Sequence, residues 1–189
     1  MSRLYLVRHG EAAAGWHEDH DPGLSERGRR QAESVAVELA PLGPLPIVAS
    51  PLRRTQETAA PLAAAWGVAP RLDPDVAELP SPTDDLAERG AWLMDLFATA
   101  WDDWPPGLQA WRGRIPQTLR ALAGAGTDAV VFTHFVFIAH AAGDPAYQPD
   151  YCSVTVLDGN GGLDGNGGLD GNGGLDVVQR GRARETPVL

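Results

Sequence analysis

Short apolar runs that end abruptly in polar clusters set the strongest limit on this fold. Leu4-Tyr5-Leu6-Val7 runs into Arg8-His9-Gly10-Glu11, and Ile47-Val48-Ala49 runs into Ser50, with Arg53-Arg54 close behind. Residues 129–132 (Ala-Val-Val-Phe) run into Thr133-His134. Runs this short and apolar fit strands buried on both faces. Between them lie stretches of helical spacing. Ala32, Val35, Ala36 and Leu39 form one stripe, opened by Ser25. Leu52, Ala59, Leu62, Ala63 and Trp66 form a second, ended by Gly67. Ser50-Pro51 predicts the start of that second helix, with Ser50 as N-cap and Pro51 at the first helical position. Residues 68–72 are a further strand candidate, 84–101 and 108–123 two more helices, and a short helix follows His134 to Gly143. Residues 152–157 and 175–179 supply the last two strands. Strands alternating with helices predict an α/β fold: a three-layer sandwich with a mostly parallel central sheet and one edge hairpin.

At 189 residues the chain reads as one domain, residues 1–189. Between the last two strands, Leu-Asp-Gly-Asn-Gly-Gly occurs three times in residues 157–174 and holds nine of the 22 glycines. A calcium-binding β-roll repeats every nine residues with a different glycine pattern, whereas this unit is six residues long. Deleting two units leaves an ordinary hairpin with a Gly/Asn turn. Residues 157–176 therefore read as a hairpin loop enlarged by copies of its own turn.

Composition narrows the chemistry. All 15 basic residues are arginine, so a P-loop lysine and Schiff-base chemistry are excluded. Any anion is handled by arginine, histidine, backbone amides or a metal. A net charge of −10 argues against nucleic acid and anionic lipid as partners. Cys152 is the single cysteine, so no internal disulfide forms. No stretch has the form of a signal peptide or membrane span, and the chain reads as soluble and cytoplasmic.

In an open parallel sheet, ligands bind beyond the carboxyl ends of the strands. The polar clusters would then bring two histidines and two or three arginines to one edge. Arginine suits bidentate contact with phosphate oxygens, so the pocket reads as a phosphoryl site.

These residues carry a resemblance. Leu6-Val7-Arg8-His9-Gly10-Glu11 resembles the signature of the histidine phosphatase superfamily, the phosphoglycerate-mutase-like proteins. Residues 21–32, with Asp21, Leu24, Ser25, Gly28, Gln31 and Ala32, are similar to the D-x-x-L-T/S-x-x-G-x-x-Q-A segment. Residues 50–59 resemble the segment carrying a second phosphate-binding arginine, here Arg54. Val76-Ala77-Glu78 resembles the proton-donor segment, and residues 130–134 the segment of a second histidine, His134. The likeness runs from about residue 3 to 157. It implies that His9 attacks phosphorus and forms a phosphohistidine, and that Glu78 is the proton donor. It also implies that Arg8, Arg54, His134 and Gly10 hold the phosphoryl group, with no metal and no cofactor required. The implied partner is a small phosphorylated substrate or a phosphoprotein. The region of about residues 79–128 would partly cover the site.

Departures shape this expectation. Phe135 and Val136 follow His134 where much of the family has glycine, which predicts a narrower pocket. Gly15 stands where an asparagine often contacts the phosphoryl group. Leu79-Pro80 replaces the Arg-x-Tyr-Gly pattern of the glycolytic mutases, which favours a phosphatase. A phosphoglycerate-type mutase and a non-catalytic phospho-ligand binder are the alternatives. Arg53, one helical step from Arg54, should face solvent. Glu11 is expected either to orient other groups or only to cap a turn. Trp16-His17-Glu18-Asp19-His20-Asp21 has the residue types of a divalent-metal site but reads better as a solvated loop near the phosphate rim. Trp92, Trp101, Trp104 and Trp111 read as packing residues, with Trp92 or Trp101 candidates to border the site.

Overall fold

The computed structural model describes residues 2–159 and 175–181. Strands are β1 (Arg3–Arg8), β2 (Ile47–Ala49), β3 (Arg71–Leu72), β4 (Ala129–Thr133), β5 (Val154–Asp158) and β6 (Asp176–Gln179). Helices are α1 (Glu26–Leu39), α2 (Arg53–Trp66), α3 (Leu86–Phe97), α4 (Pro106–Ala123) and α5 (Phe135–Ala141). The strands form one sheet in the order β3-β2-β4-β1-β5-β6. β1, β2, β3 and β4 pair in parallel, and β5 is antiparallel to both β1 and β6. The fold is α/β with a mostly parallel sheet and an antiparallel edge pair. The repeat-enlarged loop lies largely outside the described residues, but its two flanks pair through Leu157 with Val177 and Asp158 with Asp176.

Side chains alternate across the pleat, so each apolar strand feeds two cores. Leu4, Leu6, Val48 and Val131 face one cluster, completed by Leu93, Leu96, Ile115, Leu119 and Phe137 from α3, α4 and α5. Val7, Ile47, Ala49, Val130 and Phe132 face the other, completed by Val35, Ala36, Leu39, Ala59 and Leu62 from α1 and α2. This two-sided burial explains why the strands carry no polar alternation.

Two local expectations change. Ser25 caps α1, its Oγ accepting the Gly28 N–H at 2.9 Å. Ser50 does not cap α2, which starts three residues later with Leu52 as N-cap. Ser50 Oγ instead accepts the Leu52 N–H at 3.3 Å and lies 2.9 Å from His134 Nε2. The first turn of α2 is capped from a distance: Asp21 Oδ1 accepts the Arg53 N–H at 2.8 Å. The strand at residues 68–72 contracts to β3, because only Arg71 and Leu72 find partners on β2.

Trp104 and Trp111 are core residues, and Trp101 covers buried His140 with ring centroids 3.7 Å apart. Burial, then the Arg112 charge, lowers the His140 pKa to about 3. The unfolded chain takes up that proton near 6.5, so stability is lost as pH falls from 6.5 toward 3. Buried His9 and His134, also lowered, act with the same sign. We expect His140→Phe to flatten the dependence of unfolding free energy on pH between 6.5 and 4.5, measured by urea denaturation. Parallel wild-type and variant curves would contradict the assignment.

Candidate active site

The carboxyl ends of β1, β2 and β4 lie side by side, and each hands one part to the site. Arg8 pairs with Thr133 across β1 and β4, so His9 and His134 leave the sheet as neighbours, their rings 5.2 Å apart. The His9 N–H bonds the Thr133 carbonyl at 3.0 Å, and the Ser50 N–H bonds the Phe132 carbonyl at 3.0 Å. α2 then returns Arg54 to the same point. Glu78 follows a short 3₁₀ turn, Pro74–Val76, that the Thr133 hydroxyl ties down by bonding the Val76 carbonyl at 2.6 Å.

Arg54 sits between these groups. Its Nε–H donates to His9 Nε2 at 3.3 Å, and its Nη2 lies 3.4 Å from His134 Nδ1 and 3.8 Å from Glu78 Oε2. Its Nη1 is 3.8 Å from Asp21 Oδ1. His9 Nδ1 faces the Gly10 carbonyl at 2.7 Å. That contact fixes the tautomer with the proton on Nδ1, and leaves the Nε2 lone pair for chemistry. Burial, then Arg54, His134 and Arg8, holds His9 well below its ordinary 6.5, so the ring is neutral near neutral pH. His134 is lowered too, by burial first and then against the pull of Glu78.

Burial pushes the Glu78 carboxyl up, but His134 and Arg54 outweigh it and keep it below its ordinary value. Glu78 Oε1 accepts the Leu79 N–H at 3.3 Å. Oε2 is 3.2 Å from His134 Nδ1, yet it makes no hydrogen bond of good geometry. Nitrogens of His9 and His134 and an oxygen of Glu78 lie within 4.8 Å of one another. Residue types alone would let this trio hold a divalent ion. The guanidinium among them opposes a cation and suits an anion.

Arg8 and Gly10 complete the set. Arg8 Nη1 donates to the Pro149 carbonyl at 2.7 Å, and its guanidinium carbon lies 4.1 Å from the Tyr151 ring centroid and 5.1 Å from that of Phe135. The Gly10 N–H donates to Thr58 Oγ1 at 3.0 Å. A Cβ on Gly10 would meet the Gly28 carbonyl at 2.7 Å, and one on Gly28 would meet the Glu11 carbonyl at 2.1 Å. The loop after His9 is thus pressed onto the start of α1. Glu11 strengthens that seam, taking the Ser25 hydroxyl at 2.8 Å. Arg53 is exposed and pairs with Glu57 at 2.7 Å.

A cavity of about 770 Å³ opens above Arg8, His9 and Arg54. His134 and Glu78 are buried and do not line it. Gly15, Trp16, His17 and His20 form one side, and Arg89, Leu93, Met94 and Phe97 of α3 form another. Phe135 borders it. The expected tryptophans do not: Trp92 and Trp101 pack elsewhere, and Trp16 takes the place. Trp16 lies in the loop expected at the rim, whereas Tyr151 and Arg89 join the wall with no local sequence signal; the Arg89 helix does not follow a strand end.

The chain is similar in sequence and in fold to known proteins. The sequence profile of the histidine phosphatase superfamily (branch 1) matches residues 4–162. A probable phosphoglycerate mutase, GpmB, of Erwinia tasmaniensis is 36% identical over 123 residues, 62% of this chain and 55% of the relative. An uncharacterized Mycobacterium tuberculosis protein is 43% identical over 81 residues, 41% of this chain and 40% of its own. The matched stretch thus spans about half the length of these relatives. Among solved structures, a mycobacterial glucosyl-3-phosphoglycerate phosphatase has TM-score 0.63 at 25% identity, over 85% of this chain and 94% of that one. Phosphoserine phosphatase of Entamoeba histolytica has TM-score 0.72 at 20% identity, over 97% and 98%.

The seam between Gly10, Glu11 and Gly28 generates a direct test. We expect Gly28→Ala to cost about 1–3 kcal/mol of stability, measured by denaturant unfolding, since the new methyl must displace backbone. A neutral substitution would contradict the close approach.

Proposed function

The chain belongs to the histidine phosphatase superfamily, and on that premise we propose that it hydrolyses phosphomonoesters through a phosphohistidine on His9. The observation that carries this reading is the 4.8 Å cluster of His9, His134 and Glu78 around Arg54. In this proposal the phosphoryl group sits among all four once the Arg54 side chain moves off His134 and Glu78, which do not line the empty cavity.

The steps follow from the charges. A phosphoryl dianion enters the cavity and binds Arg54, Arg8, His134 and the turn at Gly10. Its oxygens then take the Arg54 N–H that now rests on His9 Nε2. The freed Nε2 lone pair attacks phosphorus in line, and the bond to the leaving oxygen breaks. Arginine charge stabilises the equatorial oxygens as that bond breaks. Glu78 gives its proton to the leaving oxygen, then takes one from the water that cleaves the phosphorus–nitrogen bond. The lowered pKa of the empty site does not oppose this. An arriving dianion neutralises Arg54, one of the groups holding Glu78 ionised, and its own charge favours the protonated carboxyl.

No step needs a metal, and Leu79-Pro80 after the acid favours water over a returning hydroxyl as acceptor. The structural neighbours are named for phosphatase action on glucosyl-3-phosphoglycerate and phosphoserine, while the GpmB relative favours a mutase as the second reading. The proposed setting is the cytoplasm; among the described residues no helix is long and apolar enough to cross a membrane.

His9→Ala should lower kcat for phosphate release by at least about a thousandfold. Retained turnover would remove the covalent mechanism. Glu78→Gln should cost about 10²–10⁴-fold in kcat/KM with an alkyl phosphate but far less with p-nitrophenyl phosphate, whose leaving group needs no proton. Equal losses in kcat/KM on both esters would contradict the donor role.

A further inference from the structure

Arg89 stands on the wall of the same cavity with its charge unmatched. Its residue is 9% exposed and its Nε makes no hydrogen bond. Among the described residues no carboxylate lies within ion-pair distance of it. The neighbouring acids are engaged otherwise. Asp85 caps α3, accepting the N–H groups of Ala87 and Glu88, and the Glu88 carboxylate takes the Thr83 hydroxyl at 3.0 Å. What Arg89 does touch is Trp16, with its guanidinium carbon 5.1 Å from the ring centroid. Arg54 approaches the same ring at 5.9 Å. The two guanidinium groups therefore border one indole, and both line the cavity.

Loop and helix are shaped to hold this arrangement. Gly90 lies under His17, where a Cβ would come 3.2 Å from the His17 Cβ. The loop bearing Trp16 thus packs directly on α3 next to Arg89. The Arg89 Nε is buried with no hydrogen-bond partner, and an incoming acid would supply both an acceptor and a counter-charge. The planar guanidinium fork matches carboxylate and phosphate alike.

We infer that Arg89 receives a second acidic group of the substrate, so the preferred phosphomonoesters carry a carboxylate or a further phosphate. The inference rests on the phosphatase reading above. It makes Trp16 the spacer against which the carbon chain between the two acids lies.

Two matched pairs of esters test it: 3-phosphoglycerate against glycerol 3-phosphate, and fructose 1,6-bisphosphate against fructose 6-phosphate. Wild type should favour the doubly acidic member of at least one pair by about 10- to 100-fold in kcat/KM, through KM. The pair that shows it tells carboxylate from phosphate. Arg89→Met should bring that ratio near one, and Arg89→Lys, which keeps the charge, should restore part of it. A merely structural arginine would lower both members together and leave the ratio intact. That result, or no preference in wild type, overturns the inference. Calorimetric titration of the His9→Ala protein with the same esters reads the subsite without turnover. If wild type hydrolyses none of them but this titration shows the Arg89-dependent preference, the phosphohistidine reading fails and the subsite stands.

Discussion

One guanidinium organises the site. Arg54 is buried and touches His9, His134 and Glu78 at once. Burial lowers its pKa from the ordinary arginine value, yet the group stays charged. Its positive charge helps hold both histidines neutral and the carboxylate ionised. It also makes the cluster a receptor for anions rather than cations. Without it, two histidines and a glutamate within 4.8 Å would read as a metal site.

The sheet exists, in functional terms, to bring Arg54 to that point. Parallel pairing sets β1, β4 and β2 in register, so the residues after Arg8, Thr133 and Ala49 emerge together. The helix that carries Arg54 is aimed by partners outside it. Asp21 caps its first turn, and the Thr58 hydroxyl links the Arg54 carbonyl to the Gly10 N–H. Gly10 and Gly28 let the nucleophile loop lie flat on α1. Single residues at strand ends thus become one cluster through backbone bonds rather than side-chain chance.

Much of this was legible in the sequence, because strand ends are written as abrupt changes from apolar to polar. Leu4-Tyr5-Leu6-Val7 followed by Arg8-His9 announces both a buried strand and what it delivers. The resemblance named Arg54 and Glu78, which spacing alone would not have separated from other charged residues. What was hidden depends on distance. Ser50 looks like a helix cap, but its hydroxyl meets His134, and Asp21 does the capping from another loop. Arg89 and Trp16 lie 73 positions apart and meet only when the loop settles on Gly90. Local pattern carries no trace of such pairings. The segment Trp16-His17-Glu18-Asp19-His20 lines the cavity, in keeping with a loop at the rim despite its metal-like composition.

The central claim is that His9 Nε2 bonds to phosphorus during turnover. The most direct measurement is rapid mixing of Glu78→Gln protein with p-nitrophenyl phosphate, alkaline quenching and mass spectrometry of the peptide holding His9. The account predicts one phosphoryl group on that peptide, stable in base and lost in acid, and none in the His9→Ala, Glu78→Gln double variant. Release of phosphate at the same rate with no phosphorylated His9 at any mixing time would contradict it.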